Sequence, residues 1–114
     1  MSRVYIDYLH DMLENANRAM QFTEGMNFES FSTDEKTIYA VIRAVEIIGE
    51  ATRNIPEEIR TKYPVIPWRD ASNMRNKLVH RYFGINLEVI WQTLGEDLPM
   101  LATALQEIIK REEK

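Results

Sequence analysis

The sequence predicts an all-α protein, a single domain over residues 1–114 that folds as an antiparallel, up-and-down bundle of four or five helices. Apolar residues recur at three- and four-residue steps through most of the chain, which is the periodicity of amphipathic helices. No segment shows the strict alternation of a half-buried strand, and no internal repeat or low-complexity linker marks a second domain. A chain of this length buries one modest core, so a catalytic cleft must be shallow or built between subunits.

The first two predicted helices are long. Apolar side chains with acidic residues between them predict an amphipathic helix that begins near Tyr5 and ends before Gly25. Residues 32–35 read Ser-Thr-Asp-Glu, a capping-box pattern in which the serine hydroxyl satisfies free amides of a new helix. The second helix should therefore begin here and run to about Arg53.

Prolines divide the middle of the chain. Pro56 fits the first turn of a short third helix over residues 56–59, and the Tyr63-Pro64 pair stops it. Pro67 fits the first turn of a fourth helix, whose apolar positions continue through residue 79 toward a break at Gly84.

The fifth predicted helix closes the chain. Asn86 is a suitable cap, and apolar residues at helical spacing continue to Ile108. Pro99 lies inside this pattern and should kink the helix, because it removes a backbone amide. We expect the charged tail KREEK, residues 110–114, to be frayed.

The composition limits the classes of function. Eighteen acidic against 14 basic residues give a formal charge of -4, which argues against a surface that binds nucleic acid everywhere. The chain has no cysteine, which excludes disulfide scaffolds, thiolate zinc sites and cysteine nucleophiles. Residues 1–12 lack the apolar run of a signal peptide or membrane span, so we expect a cytoplasmic protein without a membrane segment.

One segment departs from this acidic background. Residues 69–81 contain four cationic residues and a single acid, so we expect an anionic partner here. His80 lies in this segment, and a histidine near its ordinary pKa of about 6.5 can take and return a proton, as RNA transesterification requires. Arg75 is always charged, and its planar fork of donors suits a phosphate. Alternatively, His80 stabilises a helix end, and Arg75 pairs with Glu46 or Glu50.

Helical geometry separates these residues. Five residues turn an ideal helix by about 140°, so Arg75 and His80 diverge unless the helix loosens near His80 or two chains meet. Seven residues return to nearly the same face, so Arg75 and Tyr82 flank one groove if the helix persists that far. A cleft at a homodimer interface, holding the motifs of both chains, reconciles the small size of the chain with a sufficiently deep site.

Three charged residues of the second helix are candidates for a supporting role. Arg43, Glu46 and Glu50 follow one another at three- and four-residue steps and share a face. Either a glutamate of this set orients Arg75 across the bundle, or the set is a structural ion-pair network.

Five blocks of sequence carry a family resemblance: YLHDML in the first helix, IGEA, YPVIPW, RNKLVHRYFG and DLPML. Together they span nearly the whole chain and resemble the HepT-like branch of the HEPN superfamily. That branch has a ribonuclease signature of an arginine, four to six residues and a histidine, which here reads Arg75, four residues, His80. The resemblance implies a HEPN-like bundle and a metal-independent endoribonuclease that needs no cofactor, with Arg75 and His80 as catalytic residues. Asn76 matches a polar position often seen inside the motif.

The resemblance also implies a partner. Proteins of this branch are toxins of toxin–antitoxin pairs, and the antitoxin is similar to a minimal nucleotidyltransferase that adds AMP units to the tyrosine two residues after the histidine. That position is Tyr82, and a nucleotidylated phenol there would carry phosphates and adenines into the space that RNA must occupy. We expect a homodimer, with room for a larger hetero-oligomer when the antitoxin binds. Relatives often have glycine where Asn73 stands.

Two other functional classes stay open. One is a catalytically silent HEPN module that only binds a nucleotidyltransferase partner, and the other is a small helical carboxylate-metal protein. His10 and Glu14 are one turn apart but fit a solvated helix face better than a metal site. Trp68 and Trp91 fall in apolar stripes, which favours core or interface positions over RNA-stacking platforms.

Overall fold

Three long helices form the centre of the bundle. The computed structural model describes residues 4–80 and 84–114, except for the side chain of His80. Helix α1 (Tyr5–Phe22) packs against both α3 (Glu35–Thr52) and α8 (Leu98–Glu112), so the all-α bundle predicted from the sequence is confirmed. The shorter helices of the described residues are α2 (Phe28–Ser32), α4 (Glu57–Lys62), α5 (Trp68–Ser72), α6 (Met74–Leu78) and α7 (Leu87–Gln92).

Each long helix buries one stripe of its surface. Leu9 and Met12 of α1, Val45 and Ile48 of α3, and Leu105 of α8 are fully buried. Burial of a side chain of this size stabilises the fold by about 1.5 to 3 kcal/mol, so the buried stripes determine which face of each helix turns inward. The opposite face of α3 is left to solvent. None of the helices in the described part of the chain is long and apolar enough to cross a membrane.

The start of α3 differs from the prediction. Asp34, not Ser32, caps this helix by accepting a hydrogen bond from the amide of Thr37 at 3.1 Å. The hydroxyl of Ser32 is occupied within α2, where it donates to the carbonyl of Glu29 at 2.8 Å. Helix α2 was not predicted from the sequence, although it has its own capping box, at Asn27.

The predicted fourth helix is divided and ends early. Helices α5 and α6 meet at Asn73, and α6 ends at Leu78, so the prediction of a helix continuing toward Gly84 is wrong. Beyond Leu78 the backbone is extended: strand β1 (Val79–His80) pairs antiparallel with β2 (Gly84–Ile85), with His80 opposite Gly84. The amide of Asn86 donates to the carbonyl of Leu78 at 2.8 Å and continues this pairing.

The last predicted helix consists of three pieces. The Asn86 side chain caps α7 as predicted, accepting from the amide of Val89 at 3.2 Å. A π-helical segment, Thr93–Asp97, then joins α7 to α8, and Pro99 lies in the first turn of α8. Because proline has no amide and its ring crowds the preceding turn, the wider π turn accommodates it there. A π-helical segment therefore stands at the position where a kink was predicted.

The C-terminal tail is ordered further than expected. Glu112 accepts hydrogen bonds from the Tyr5 hydroxyl at 2.6 Å, from the Lys62 ammonium at 2.8 Å and from the Tyr63 hydroxyl. These hydrogen bonds, that from Lys62 foremost, lower the pKa of Glu112 to about 2. The prediction of a frayed tail is therefore wrong as far as Glu112, because partners from α1 and α4 hold the end of α8.

Candidate active site

Helix α6 presents the motif arginine to solvent. Met74 and Leu78 lie one turn apart, are both buried and anchor α6 against the core. The three residues between them, Arg75, Asn76 and Lys77, are exposed. The apolar pair therefore determines which way the polar residues of this helix point.

Arg75 faces the solvent side of α3. Its Nε lies 3.8 Å from Oε2 of Glu46, and the two side chains are 45% and 36% exposed. Arg43 lies on the other side of this glutamate, with Nη1 4.0 Å from Oε1 of Glu46 and 3.7 Å from Oε1 of Glu50. The four charges thus form a row in the order Glu50, Arg43, Glu46, Arg75. The three residues of α3 share a face, as their spacing predicts, and the closest acid to Arg75 is Glu46.

Although it belongs to this row of charges, the guanidinium of Arg75 is available to bind another anion. The separation of 3.8 Å exceeds hydrogen-bond length, and exposed ion pairs of this kind contribute about 1 kcal/mol or less. A phosphate that offers two oxygens to the guanidinium fork can form shorter, charge-assisted hydrogen bonds. Arg75 can therefore exchange or share partners with an incoming anion at low cost.

A close approach of two backbones sets the position of α6 beside α3. A Cβ atom added at Gly49 would lie only 3.0 Å from the carbonyl oxygen of Ser72, which is tighter than most Cβ contacts, so this approach favours glycine. The guanidinium of Arg53 donates to the same carbonyl at 2.9 Å. A glycine inside a buried helical stripe signals tight packing, and this signal for the contact was missed at the level of the sequence.

Asn73 fits without the freedom of a glycine. Its φ of -107° is open to any residue. Its side-chain amide donates to the carbonyl of Arg69 at 3.2 Å, which helps to satisfy the end of α5. The difference from the glycine of many relatives therefore does not disturb the break between α5 and α6.

The basic segment is not a single patch. Lys77 is about 200° around the helix from Arg75 and lines a cavity of about 150 Å³ between α5, α6 and α8. That cavity is lined mainly by apolar side chains, and by neither Arg75 nor Glu46. Arg69 lies at another depression, next to Arg60. The candidate active site is therefore the open surface around Arg75, and it is shallow within one chain.

The backbone around His80 resolves one geometric question. Because α6 ends at Leu78 and His80 lies in β1, the divergence of 140° expected on an unbroken helix does not apply. The helix loosens before the histidine, which was one of the two alternatives. Because the helix does not persist past Leu78, the condition under which Arg75 and Tyr82 would share a helix face is not met. Tyr82 itself lies outside the described residues.

The other residues considered from the sequence, one histidine and two tryptophans, make contacts of a structural kind. His10 Nε2 lies 3.3 Å from a carboxylate oxygen of Glu113 at the end of α8. Trp68 is buried, and Trp91 packs against Phe31 with ring centroids 5.2 Å apart, as their apolar stripes predict. Within the described residues no group of three or more His, Cys, Asp or Glu side chains could hold a metal ion.

Comparison with known proteins gives a consistent family assignment. A family model described as "Ribonuclease HepT-like" matches residues 12–108. A protein of Thermococcus cleftensis named "Probable ribonuclease HepT" is 46% identical over 96% of this chain and all of its own length. A protein of Methanocaldococcus jannaschii, named as a candidate RNase, is 46% identical over 90% of this chain and 85% of its own length. Another named in the same way, from Caldanaerobacter subterraneus, is 38% identical over 92% and 94%. No solved structure matches the chain.

Proposed function

Because this chain belongs to the HepT-like ribonuclease family, we propose that it is a metal-independent endoribonuclease toxin of a toxin–antitoxin pair. The observation that carries the proposal is the position of Arg75. Its guanidinium is exposed and loosely paired with Glu46, and it precedes His80 by five residues, where the helix gives way to a strand. A fixed positive charge and an imidazole in one segment are the groups that RNA transesterification uses.

The proposed reaction uses an oxygen of the RNA itself. The 2′ oxygen loses its proton and forms a bond to the adjacent phosphorus, while the bond from phosphorus to the 5′ oxygen breaks and that oxygen gains a proton. His80 acts as the base or as the acid in this exchange. The products are a 2′,3′-cyclic phosphate and a 5′-hydroxyl. Because no water attacks, the step does not need a metal-bound hydroxide.

The charged residues beside the motif have separate roles in this proposal. Arg75 binds the scissile phosphate and stabilises the charge that builds on its oxygens in the transition state. Glu46 orients Arg75 from α3, and Arg43 and Glu50 hold Glu46 in place, so these three are positioning residues. Asn76, exposed beside the arginine, offers a side-chain amide to the substrate.

A homodimer would deepen this open site. We propose that the surfaces around Arg75 of two chains face each other and form one cleft for the RNA strand. Mixing Arg75→Ala chains with His80→Ala chains tests the idea, since a mixed dimer still has one arginine and one histidine in a shared cleft. Activity that appears only on mixing supports the shared cleft. A mixture as inactive as its parts, or full activity of wild-type monomer at high dilution, argues that each chain acts alone.

Tyr82 is the proposed site of control by the antitoxin. Addition of AMP units by a minimal nucleotidyltransferase would join phosphates to its phenol oxygen and block the RNA path. Tyr82→Phe removes the acceptor oxygen and keeps the ring. This variant should still cleave RNA but resist silencing by the antitoxin with ATP, and its intact mass should not change. Complete silencing of the phenylalanine variant would rule out this tyrosine as the acceptor.

The first test of the enzyme is cleavage without metal. Wild-type protein is incubated with total cellular RNA in excess chelator, beside His80→Ala and His10→Ala purified in the same way. His10 is the matched control, because it is the only other histidine and pairs with Glu113 at the far end of α8. We expect wild type and His10→Ala to leave cyclic phosphate ends at the same positions, and His80→Ala to leave none.

The other outcomes are equally informative. Cleavage by all three proteins indicates a contaminating nuclease or a different catalytic group. Cleavage by none, with an unmodified intact mass, favours the silent interaction module that only binds its partner. Melting temperature is measured in parallel, since a large loss of stability in His80→Ala would indicate a structural role for the histidine.

A further inference from the structure

An exposed aromatic residue lies on the same helix as the supporting glutamate. Tyr39 of α3 is 57% exposed, whereas the neighbouring apolar residues Ile38, Val41 and Ile42 are buried. A single exposed aromatic residue is common on protein surfaces, so its neighbours decide whether it marks a contact. Packing in the core does not account for the exposed side chain of Tyr39, and none of the roles proposed above uses it.

Tyr39 shares a face with cations and with the row of charges. On an ideal helix, Lys36, Tyr39, Arg43 and Glu46 all fall within about 80° of one another. Lys36 and Arg43 are exposed about one turn before and one turn after the ring, and Arg43 is also paired with Glu46 and Glu50, 4.0 and 3.7 Å away. An aromatic ring flanked by cations is the pattern of single-stranded nucleic-acid sites, in which the ring stacks on a base and the cations meet phosphates.

Tyr39 lies two helical turns before Glu46, the partner of Arg75, on the same helix. Arg53 contacts Ser72 and Glu46 pairs with Arg75, so the segment from Ser72 to Arg75 runs antiparallel to α3. Along the helix axis, Tyr39 precedes Glu46 by about 10 Å, which is roughly three stacked nucleotides and fewer in an extended strand.

We propose that Tyr39 is a base-stacking subsite of the RNA cleft, which holds a nucleobase within about three nucleotides of the scissile phosphate while Lys36 faces a flanking phosphate. The inference rests on the proposed ribonuclease function. Stacking tolerates any base, so the subsite positions the strand rather than reading its sequence. The interaction is present before and during bond breaking, and it therefore acts on substrate binding more than on the chemical step.

Kinetics with short single-stranded RNA substrates test the subsite. The substrates share one cleavage position, and in each of them a different nucleotide is replaced by an abasic residue. We expect Tyr39→Ala to raise KM about tenfold, with little change in kcat. Tyr39→Phe keeps the ring and should restore the wild-type KM. Phe22→Ala is the matched control, since Phe22 is an aromatic residue of α1 that is 44% exposed and lies outside this face.

The abasic series identifies the base. With wild-type protein, one abasic position in the RNA should raise KM as much as Tyr39→Ala does with intact RNA. When Tyr39→Ala protein is given that abasic RNA, KM should rise no further than with either change alone. Equal KM values for Tyr39→Ala and wild type, or losses that add at every position, would overturn the proposal. So would a higher dimer dissociation constant in Tyr39→Ala that accounts for the whole loss.

A binding measurement separates this inference from the proposed function. His80→Ala protein, with and without Tyr39→Ala, is titrated into RNA that carries 2-aminopurine at the identified position, or at each position in turn if wild type cleaves nothing. Absent cleavage refutes the ribonuclease proposal. Quenching of 2-aminopurine that requires Tyr39 still supports the stacking subsite, and quenching that is independent of Tyr39, or absent, refutes it.

Discussion

Gly49→Ala tests whether the close approach of α3 to α5 positions the site. The added methyl carbon would lie 3.0 Å from the Ser72 carbonyl oxygen and 3.8 Å from that of Ala71. Both neighbours are backbone atoms and cannot rotate away as a side chain would. A shift of a few tenths of an ångström is needed to relieve the contact, and α6, which begins two residues further along at Met74, should shift with it and move Arg75.

Two opposing effects determine the magnitude. Alanine in place of glycine favours a helix by about 1 kcal/mol. Overpacking that displaces backbone costs typically about 1 to 3 kcal/mol, because well-packed interiors have no free volume to absorb it. We therefore expect a net loss of about 1 kcal/mol in the free energy of unfolding, or about 4 °C in melting temperature for a domain of this size.

Gly95→Ala separates the gain in helix propensity from the cost of overpacking. Gly95 also lies in a helical segment, but an added Cβ there meets no atom within 4 Å. It should gain the helix propensity without the overlap, so the two alanine variants should differ in stability by about 1 to 3 kcal/mol. Urea unfolding of both variants measures this difference, and RNA cleavage at a temperature where both are folded should fall only in Gly49→Ala. A Gly49→Ala protein as stable and as active as Gly95→Ala would refute the argument.

Three further substitutions test other parts of the molecule. Glu46→Gln should lower kcat for RNA cleavage and change stability by only about 0.5 kcal/mol, because its pair with Arg75 is exposed; unchanged cleavage would exclude a positioning role. The pKa of Glu112 is about 2 in the folded chain and below its ordinary value, so its stabilising contribution is present above about pH 4.5 and lost as the pH falls toward 2. The Glu112→Gln variant should therefore have a lower free energy of unfolding at pH 7, and in urea unfolding this free energy should change less between pH 5 and 3 than it does in wild type. An unchanged pH profile would contradict this. Gly84 has a φ of +77°, so Gly84→Ala should cost about 1 to 2 kcal/mol in thermal unfolding, and an equally stable variant would show that the hairpin adapts.

Local patterns predicted the elements whose causes are local. The long helices follow from apolar periodicity, and the Asn86 cap follows from the residue type at a helix start. The shared face of Arg43, Glu46 and Glu50 follows from spacing on one helix. Each of these features depends on neighbours within a few residues, and sequence reasoning therefore reached them.

Features fixed by distant residues were missed. Leu78 and Val79 continue a helical pattern, and nothing near them marks the end of α6; the pairing of β1 with β2 and the hydrogen bond from Asn86 favour the extended backbone. The contact of Gly49 with Ser72 and the hydrogen bonds of Glu112 join residues from separate helices. Such partners cannot be found from periodicity, since they depend on how the helices pack.

The change from helix to strand between Arg75 and His80 alters what one chain can do. Three helical steps and two extended ones advance the backbone from Arg75 to His80 by at most about 11 Å, compared with about 7.5 Å along the axis of a continuous helix. A long arginine side chain and an imidazole can both reach a phosphate across this distance, provided that their side chains converge on it. On a continuous helix the two would be closer but would diverge by about 140°, so the extended backbone removes this fixed divergence at the expense of proximity. The early end of α6 therefore makes the backbone geometry of the pair compatible with the site proposed above, within one chain or in a shared cleft.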